Sequence, residues 1–285
     1  MKDLDSRSTL ALHGRVWVRL AAVLLTAWGV GTGSNPAWAW GRIGHRAAGR
    51  LAESRLSPET LVQVRALLEP GESLADASTW ADEVRRNRPE SGPWHYVNVP
   101  ITEPKYSDRF CAEGGCVVEK IQAFRLVLAD WNAPRAKRQE ALRFLAHFVQ
   151  DLHQPFHVGD RGDRGGNDLQ VRFFDDGSNL HRVWDSGLIE RAYRDEQALS
   201  RDLTALTAGS DAIRWASGTV EDWANESLRA ARFAYTMPES GQPLRKGAKL
   251  GVRYAEVNLP IAKERVARAG VRLAFLLNST LAPAP

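Results

Sequence analysis

The stretch Glu140-Ala-Leu-Arg-Phe-Leu-Ala-His147-Phe-Val-Gln-Asp151-Leu-His153-Gln-Pro155-Phe-His157 decides how this chain is read. From 140 to 152 its apolar residues recur every three to four positions, the period of a helix with one buried face. His147 and Asp151 are one turn apart on that helix and project from the same side, so one metal ion can be reached by both. Pro155 ends the helix, because it has no amide hydrogen to donate and its ring crowds the preceding turn. The chain can then bring His157 back toward the same point.

The same period appears on both sides of this stretch. It covers residues 43–56, 60–68, 118–128, 183–193, 220–233 and 255–277, with turn signals such as Ser57-Pro58 and Pro70-Gly71 between them. Residues 169–174 form the one good strand candidate, and Asp176-Gly177 is expected to turn it back as a short hairpin. No internal repeat, low-complexity block or linker divides the chain. The expected fold is all-α, a single globular helical domain with one short β-hairpin excursion.

The N-terminal segment reads as a secretory signal. Arg15 and Arg19 supply its positive region, residues 20–30 are apolar, and Ala37-x-Ala39 offers the small residues of a cleavage site. The apolar run is too short to span a bilayer. Cleavage before Trp40 divides the chain into a removed segment, 1–39, and a mature domain, 40–285, that is secreted or periplasmic with no stable membrane anchor. A free amine on Trp40, five residues ahead of His45, becomes a candidate metal ligand. Residues 1–39 hold four of the 38 Lys and Arg and two of the 34 Asp and Glu, so the remainder carries 34 basic against 32 acidic residues. A formal charge of +2 is a weak argument for a polyanionic partner. Cys111 and Cys116, the only cysteines, lie in a loop-like stretch and in an exported protein pair as a small disulfide loop.

Seven histidines are present, and His13 falls in the signal. His181-x-x-x-Asp185 repeats the one-turn spacing of His147 and Asp151. A single such pair is usually an ordinary hydrogen-bonded pair; two of them, with His157 and a terminal amine near His45, point to a cluster of divalent ions. His and Asp without Cys favour zinc or a similar metal. Taken alone, Asp82 reads as a surface helix carboxylate and His95, between Trp94 and Tyr96, as a structural core histidine. The run Gly159-Asp-Arg-Gly-Asp-Arg-Gly-Gly-Asn167 lacks the strand, Lys and Ser/Thr context of a phosphate-binding P-loop and reads instead as a loop passing close to a site.

With these residues in view the chain resembles the zinc-dependent nucleases of the S-one/P-one type, the family that includes mung-bean nuclease. The resemblance rests on Trp40-Gly-x-x-Gly-His45, Trp80-Ala-Asp82, Trp94-His95-Tyr96, the run from His147 to His157, Gly165-Gly166-Asn167 and Asn179-Leu-His181-x-x-Trp184-Asp185. It implies three zinc ions in an all-α fold. Asp82, His95, His147 and Asp151 would hold the first, His157, His181 and Asp185 the second. The amine and carbonyl oxygen of Trp40, with His45 and Asp151, would hold the third. His153 matches a position that is not a ligand.

The resemblance also implies hydrolysis of single-stranded RNA and DNA to 5′-nucleotides, with removal of 3′-phosphates from 3′-nucleotides, by a monomer. A hydroxide held between two zinc ions is a strong nucleophile at neutral pH, because metal binding lowers the pKa of water to roughly 7. Asp82, Asp151 and Asn167 are the expected catalytic residues, and Tyr96, Asn98 and Asn167 the expected substrate contacts, Tyr96 through base stacking. Lys105 and Phe110 are further candidate contacts. Two alternatives stand beside the nuclease: a zinc-dependent phospholipase C, whose ligand spacings differ, and an exported zinc-binding protein without catalysis. Asn225-Glu-Ser227 and Asn278-Ser-Thr280 match the glycosylation acceptor pattern and are expected to remain unmodified.

Overall fold

The computed structural model describes residues 40–209 and 211–282; the signal segment and His13 lie outside the described residues. Helices α1 (Gly41–Glu53), α2 (Pro58–Leu67) and α3 (Leu74–Val84) come first, followed by a two-residue strand β1 (Val99–Pro100). Then come α4 (Val117–Ala129), α5 (Arg135–Asp151), strand β2 (Gly159–Asp160) and the hairpin β3 (Gln170–Phe173) and β4 (Asp176–Asn179). The chain closes with α6 (Leu180–Arg182), α7 (Leu188–Ala192), α8 (Glu196–Leu206), α9 (Asp211–Trp215), α10 (Val220–Ala234), strand β5 (Lys249–Leu250) and α11 (Val252–Leu281). The all-α expectation holds, and two features extend it. A short parallel pair joins β1 to β2, and β5 adds in parallel to β3, giving the order β4-β3-β5.

Several helices have a local reason to begin where they do. Ser57 caps α2 by accepting from the Thr60 amide, and Pro58 sits at its first position, where no amide hydrogen is missed. Capping boxes open α3 (Ser73 with Asp76) and α10 (Thr219 with Asp222). Helix α3 lies outside the sequence expectation: its small, mixed residues LADASTWADEV carry too weak an apolar period, and its capping box is the signal that finds it. Helix α5 starts five residues before the apolar period does, and α11 runs 30 residues, about 45 Å.

The hairpin turns two residues earlier than expected. Phe173 pairs with Asp176, so Phe174 and Asp175 form the loop and Asp176-Gly177 belongs to β4. The core decides this register, because Leu169 and Val171 are buried and Phe173 packs against them, which fixes the inward face of β3. Phe174 accordingly takes a left-handed φ of 55°, with the Arg191 guanidinium stacked on its ring.

Helix α5 is buried along most of its length, with Phe144, Leu145, Phe148 and Leu152 fully enclosed between α3, α4 and the end of α11. Helix α1 is pressed between α3 and α11. A Cβ on Gly49 would stand 2.8 Å from Ala75 Cα, and one on Gly270 would stand 2.9 Å from the Ala48 carbonyl oxygen. Only glycine permits either approach. The expected disulfide between Cys111 and Cys116 is formed, with Cα atoms 5.0 Å apart, at the N-terminal end of α4.

A buried ionic cluster ties α11 to the segment that follows α5. Arg272 grips Glu226 through both nitrogens at 2.7 and 2.8 Å, and Arg265 donates to the same carboxylate at 2.8 Å and to the His153 carbonyl. His153 faces this cluster: its Nδ1 meets the Val149 carbonyl and its Nε2 accepts from Arg272 at 2.9 Å. The non-ligand role expected of it is thereby explained. The two acceptor asparagines are engaged as well, Asn225 with the Tyr106 amide and Asn278 with Ser57 and Arg55.

Burial alone would raise the Glu226 carboxyl, but hydrogen bonds and charge from Arg272 and Arg265 outweigh it and hold the group at about 2, below its usual 4.5. A depressed folded-state pKa gives stability that is complete above pH 4.5 and disappears as pH falls toward 2. Glu226→Gln, which strands two buried guanidinium groups, is expected to cost about 3 kcal/mol at pH 7 in urea unfolding, with the gap from the wild type closing in that acid window. A gap that stays constant with pH would contradict the assignment.

Candidate metal centre

The last turn of α5 presents His147 and Asp151 side by side, both fully buried, with His147 Nε2 3.1 Å from Asp151 Oδ2. Two other segments converge on this turn. The parallel pair β1–β2 continues through the Val97 amide to the His157 carbonyl, which brings His95 alongside, its Nδ1 2.8 Å from Asp151 Oδ2. Helix α3 supplies Asp82, whose carboxylate lies 3.7 Å from both His95 and His147. The bland reading of Asp82 as a surface residue therefore fails: it is only 6% exposed.

Asp151 also faces the other way. Its Oδ1 lies 3.4 Å from His45 Nε2, and the His45 ring stacks on His147 at 4.3 Å. Trp40 is fully buried beside them; its indole donates to the Gln150 carbonyl, and its own carbonyl accepts from the Gly44 amide. A third group lies one short step along the chain. His157 follows the turn capped by Gln154, and His181 and Asp185 face each other at 3.4 Å across a π-helical turn, Val183–Gly187. Such single turns recur at functional sites. Trp184 anchors this one by donating to the Tyr254 hydroxyl. The result is three buried sets able to hold a metal ion: His45, His147 and Asp151; Asp82, His95 and His147; His157, His181 and Asp185.

The donor atoms fit metal ions. His147, His157 and His181 each aim Nδ1 at a backbone carbonyl, of Ser78, His95 and Gly165 respectively, which fixes the tautomer and leaves Nε2 as the donor. Among the described residues, buried atoms without a hydrogen-bond partner include His45 Nε2, Asp82 Oδ2, Asp151 Oδ1 and Asp185 Oδ2, one or more from each set. Buried polar atoms are normally paired, and a divalent cation is the partner that suits these acceptors together.

The electrostatics agree. Burial drives His157 down to about 3 and His181 down to about 4, and it also lowers His45, so all three are neutral imidazoles ready to bind. Burial raises the Asp82 and Asp185 carboxyls, the response of anions lacking a countercharge. Asp151 differs. Burial would raise it too, but the imidazoles led by His147 hold it well below the carboxylate range. His147 rises reciprocally to about 9, since Asp151 and Asp82 outweigh its burial. A metal ion bound there would replace that shared proton.

Four supporting residues were not singled out in the sequence. Gln150 accepts from His45 Nδ1 through Oε1 and donates to Ser78 Oγ, while the Ser78 carbonyl holds His147. Gln154 donates to Asp185. Arg85, one turn past Asp82, stands near enough for its charge to be felt at Asp82 and His181, and it makes no hydrogen bond or ion pair among the described residues. Gln150 and Gln154 could have been found as the polar neighbours of ligands in a buried helix end; Ser78 and Arg85 gave no sequence signal.

The expected substrate contacts differ in exposure. Tyr96 is 36% exposed and not core, and Asn98 is exposed. Asn167 donates to the Arg164 carbonyl in the glycine-rich loop, whose Arg164 is close enough to Tyr96 to feel its phenol. Phe110 is partly buried against the core, and Lys105 is exposed.

The profile of the S1/P1 nuclease family matches residues 40–282. The chain belongs to the S1/P1 nuclease family. It is 33% identical to Endonuclease 4 of Arabidopsis thaliana, over 88% of this chain and 92% of the relative. It is 26% identical to Nuclease S1 of Aspergillus oryzae, over 85% and 91%, and 27% identical to Nuclease P1 of Penicillium citrinum, over 84% and 97%. Of the two families weighed from the sequence, the nuclease and the phospholipase C, the matched one is the nuclease family. Among the described residues no helix is long and apolar enough to cross a membrane.

Gly165 tests how tightly this family member holds its third set. It has φ +59°, its carbonyl receives His181 Nδ1, and a Cβ would fall 2.3 Å from the Phe156 carbonyl oxygen. Gly165→Ala is expected to lower zinc affinity roughly tenfold or more while far-ultraviolet circular dichroism stays native. Unchanged affinity would show that His181 does not depend on this loop.

Proposed function

We propose that the chain is an exported phosphodiesterase that uses three zinc ions to hydrolyse single-stranded RNA and DNA to 5′-nucleotides and to remove 3′-phosphates. The observation that carries this reading is the Asp151 carboxylate, shared between the His95/His147 side and the His45 side of one buried cluster. Asp82, His95, His147 and Asp151 would hold one ion and His157, His181 and Asp185 a second. His45 and Asp151 would hold a third together with the amine and carbonyl of Trp40, once residues 1–39 are removed. The family match beginning at residue 40 supports that processing. Bound zinc supplies Lewis acidity toward phosphoryl oxygens and a water of lowered pKa, so the reaction needs no side-chain acid.

The chain's own residues do the rest. Gln150 and Ser78 orient His45 and His147, Gln154 orients Asp185, and the carbonyls of His95 and Gly165 orient His157 and His181. Arg85 brings a positive charge to the opening beside Asp82, suited to the phosphate's anionic oxygens. Tyr96 offers an exposed ring for a base, and stacking is tolerant of sequence at about 1–3 kcal/mol per base. Asn167 and Asn98 lie on the flanks. The second set draws only three protein donors, which leaves its coordination open, as catalytic zinc sites require and a purely structural site does not. One chain carries every ligand, so a monomer suffices.

Protein starting at Trp40 is expected to cleave single-stranded RNA and DNA to products with 5′-phosphates, and to stop when chelated. Arg85→Ala should lower kcat/KM about a hundredfold with zinc content intact. One extra residue before Trp40 should reduce zinc and activity together. Zinc-loaded protein that cleaves only a phosphatidylcholine, or nothing, would reject the nuclease reading, and full activity in the extended chain would reject the role of the Trp40 amine.

A further inference from the structure

The hairpin lines an open concavity of about 450 Å³. Gln170 and Arg172 of β3 line it with Asn179 of β4, Arg182 just beyond, and Lys246 and Gly247 ahead of β5. The pairing register puts Gln170, Arg172, Gly177, Asn179 and Lys249 on one sheet face, because directly paired residues share a side. Three cations, Arg172, Arg182 and Lys246, line the groove, and no carboxylate does. Their charge is not consumed locally. Arg172 donates to the Asp175 backbone carbonyl and not to its carboxylate, and Arg182 and Lys246 have no ion pair among the described residues.

The groove is joined to the site through the backbone. Arg182 immediately follows His181, whose amide donates to the Gly166 carbonyl and whose ring donates to Gly165. Gln170 reaches back to the Asn167 carbonyl, and the Gly247 amide donates to the Gln170 carbonyl. The groove therefore adjoins the segments that carry Asn167 and His181.

We propose that the groove binds the phosphodiester backbone of a single-stranded nucleic acid beyond the scissile nucleotide. The inference rests on the nuclease reading and adds a feature to it: Arg172, Arg182 and Lys246 distinguish a long strand from a dinucleotide. Exposed cations that follow a strand contribute through release of counterions, so their effect is confined to substrates long enough to reach them and is sensitive to salt. Neutralising three phosphates on a single strand adds about −2 to the slope of log affinity against log salt.

The test compares zinc-loaded wild type and the triple variant Arg172→Gln, Arg182→Gln, Lys246→Gln on a dinucleotide and a 20-mer of the same base, from about 50 to 200 mM salt. The expected result is a loss of kcat/KM at least tenfold greater on the 20-mer than on the dinucleotide, with the 20-mer's salt slope shallower by about 2. The pair Arg172→Gln, Lys246→Gln, which leaves the neighbour of His181 in place, should show a smaller loss in the same direction. Equal losses on both substrates, or no loss on the 20-mer, would overturn the groove while leaving the nuclease intact. Wild type that cleaves neither substrate would overturn the nuclease reading and the groove with it.

Discussion

The Asp151 carboxylate is the constraint around which the rest of the structure is arranged. It is fully buried, and a buried carboxylate is costly unless charged or hydrogen-bonding partners surround it. Here His45, His95, His147 and His157 all approach within 4 Å. Those four imidazoles come from α1, the turn before β1, α5 and the turn after α5, so satisfying one anion requires four segments to meet. The same convergence makes three sets able to hold a metal ion out of residues spread from 45 to 185.

The surrounding scaffold explains how such a centre is held without collapsing. His147, His157 and His181 each lean on a backbone carbonyl, and carbonyls of buried helices and paired strands move little. Behind the centre, Arg265 and Arg272 of α11 hold both the carbonyl and the ring of His153, midway between Asp151 and His157. The glycines at 49 and 270 let α1 sit close against α3 and α11, which sets His45 opposite His147. Function in this protein is thus a property of helix contacts as much as of ligands.

Much of this was legible in the sequence, and the reasons differ by element. Helix α5 and its His147/Asp151 pair could be read because its buried part shows an unbroken apolar period and the two residues keep one-turn spacing. Helix α3 escaped because small residues such as Ala75, Ala77 and Ala81 are buried by close packing and carry little hydrophobic signal. The hairpin's turn was misplaced because Asp176-Gly177 is a local preference, while the burial of Leu169 and Val171 is a tertiary one. Asp82 looked like a surface carboxylate for a related reason: what buries it is the arrival of His95 and His147 from distant positions. Arg85 and Ser78 carry no local signature at all, since their roles exist only after the chain has folded.

The central claim is that Asp151 serves two of three ions. It is tested most directly by zinc content per chain, measured on protein beginning at Trp40 and on its Asp151→Asn variant, with circular dichroism as the control for folding. The account predicts three zinc ions falling to one, because in the proposed ligand sets Asp151 holds two of the ions and only the ion of His157, His181 and Asp185 does without it. Retention of all three, or loss of all three from a folded variant, would contradict it.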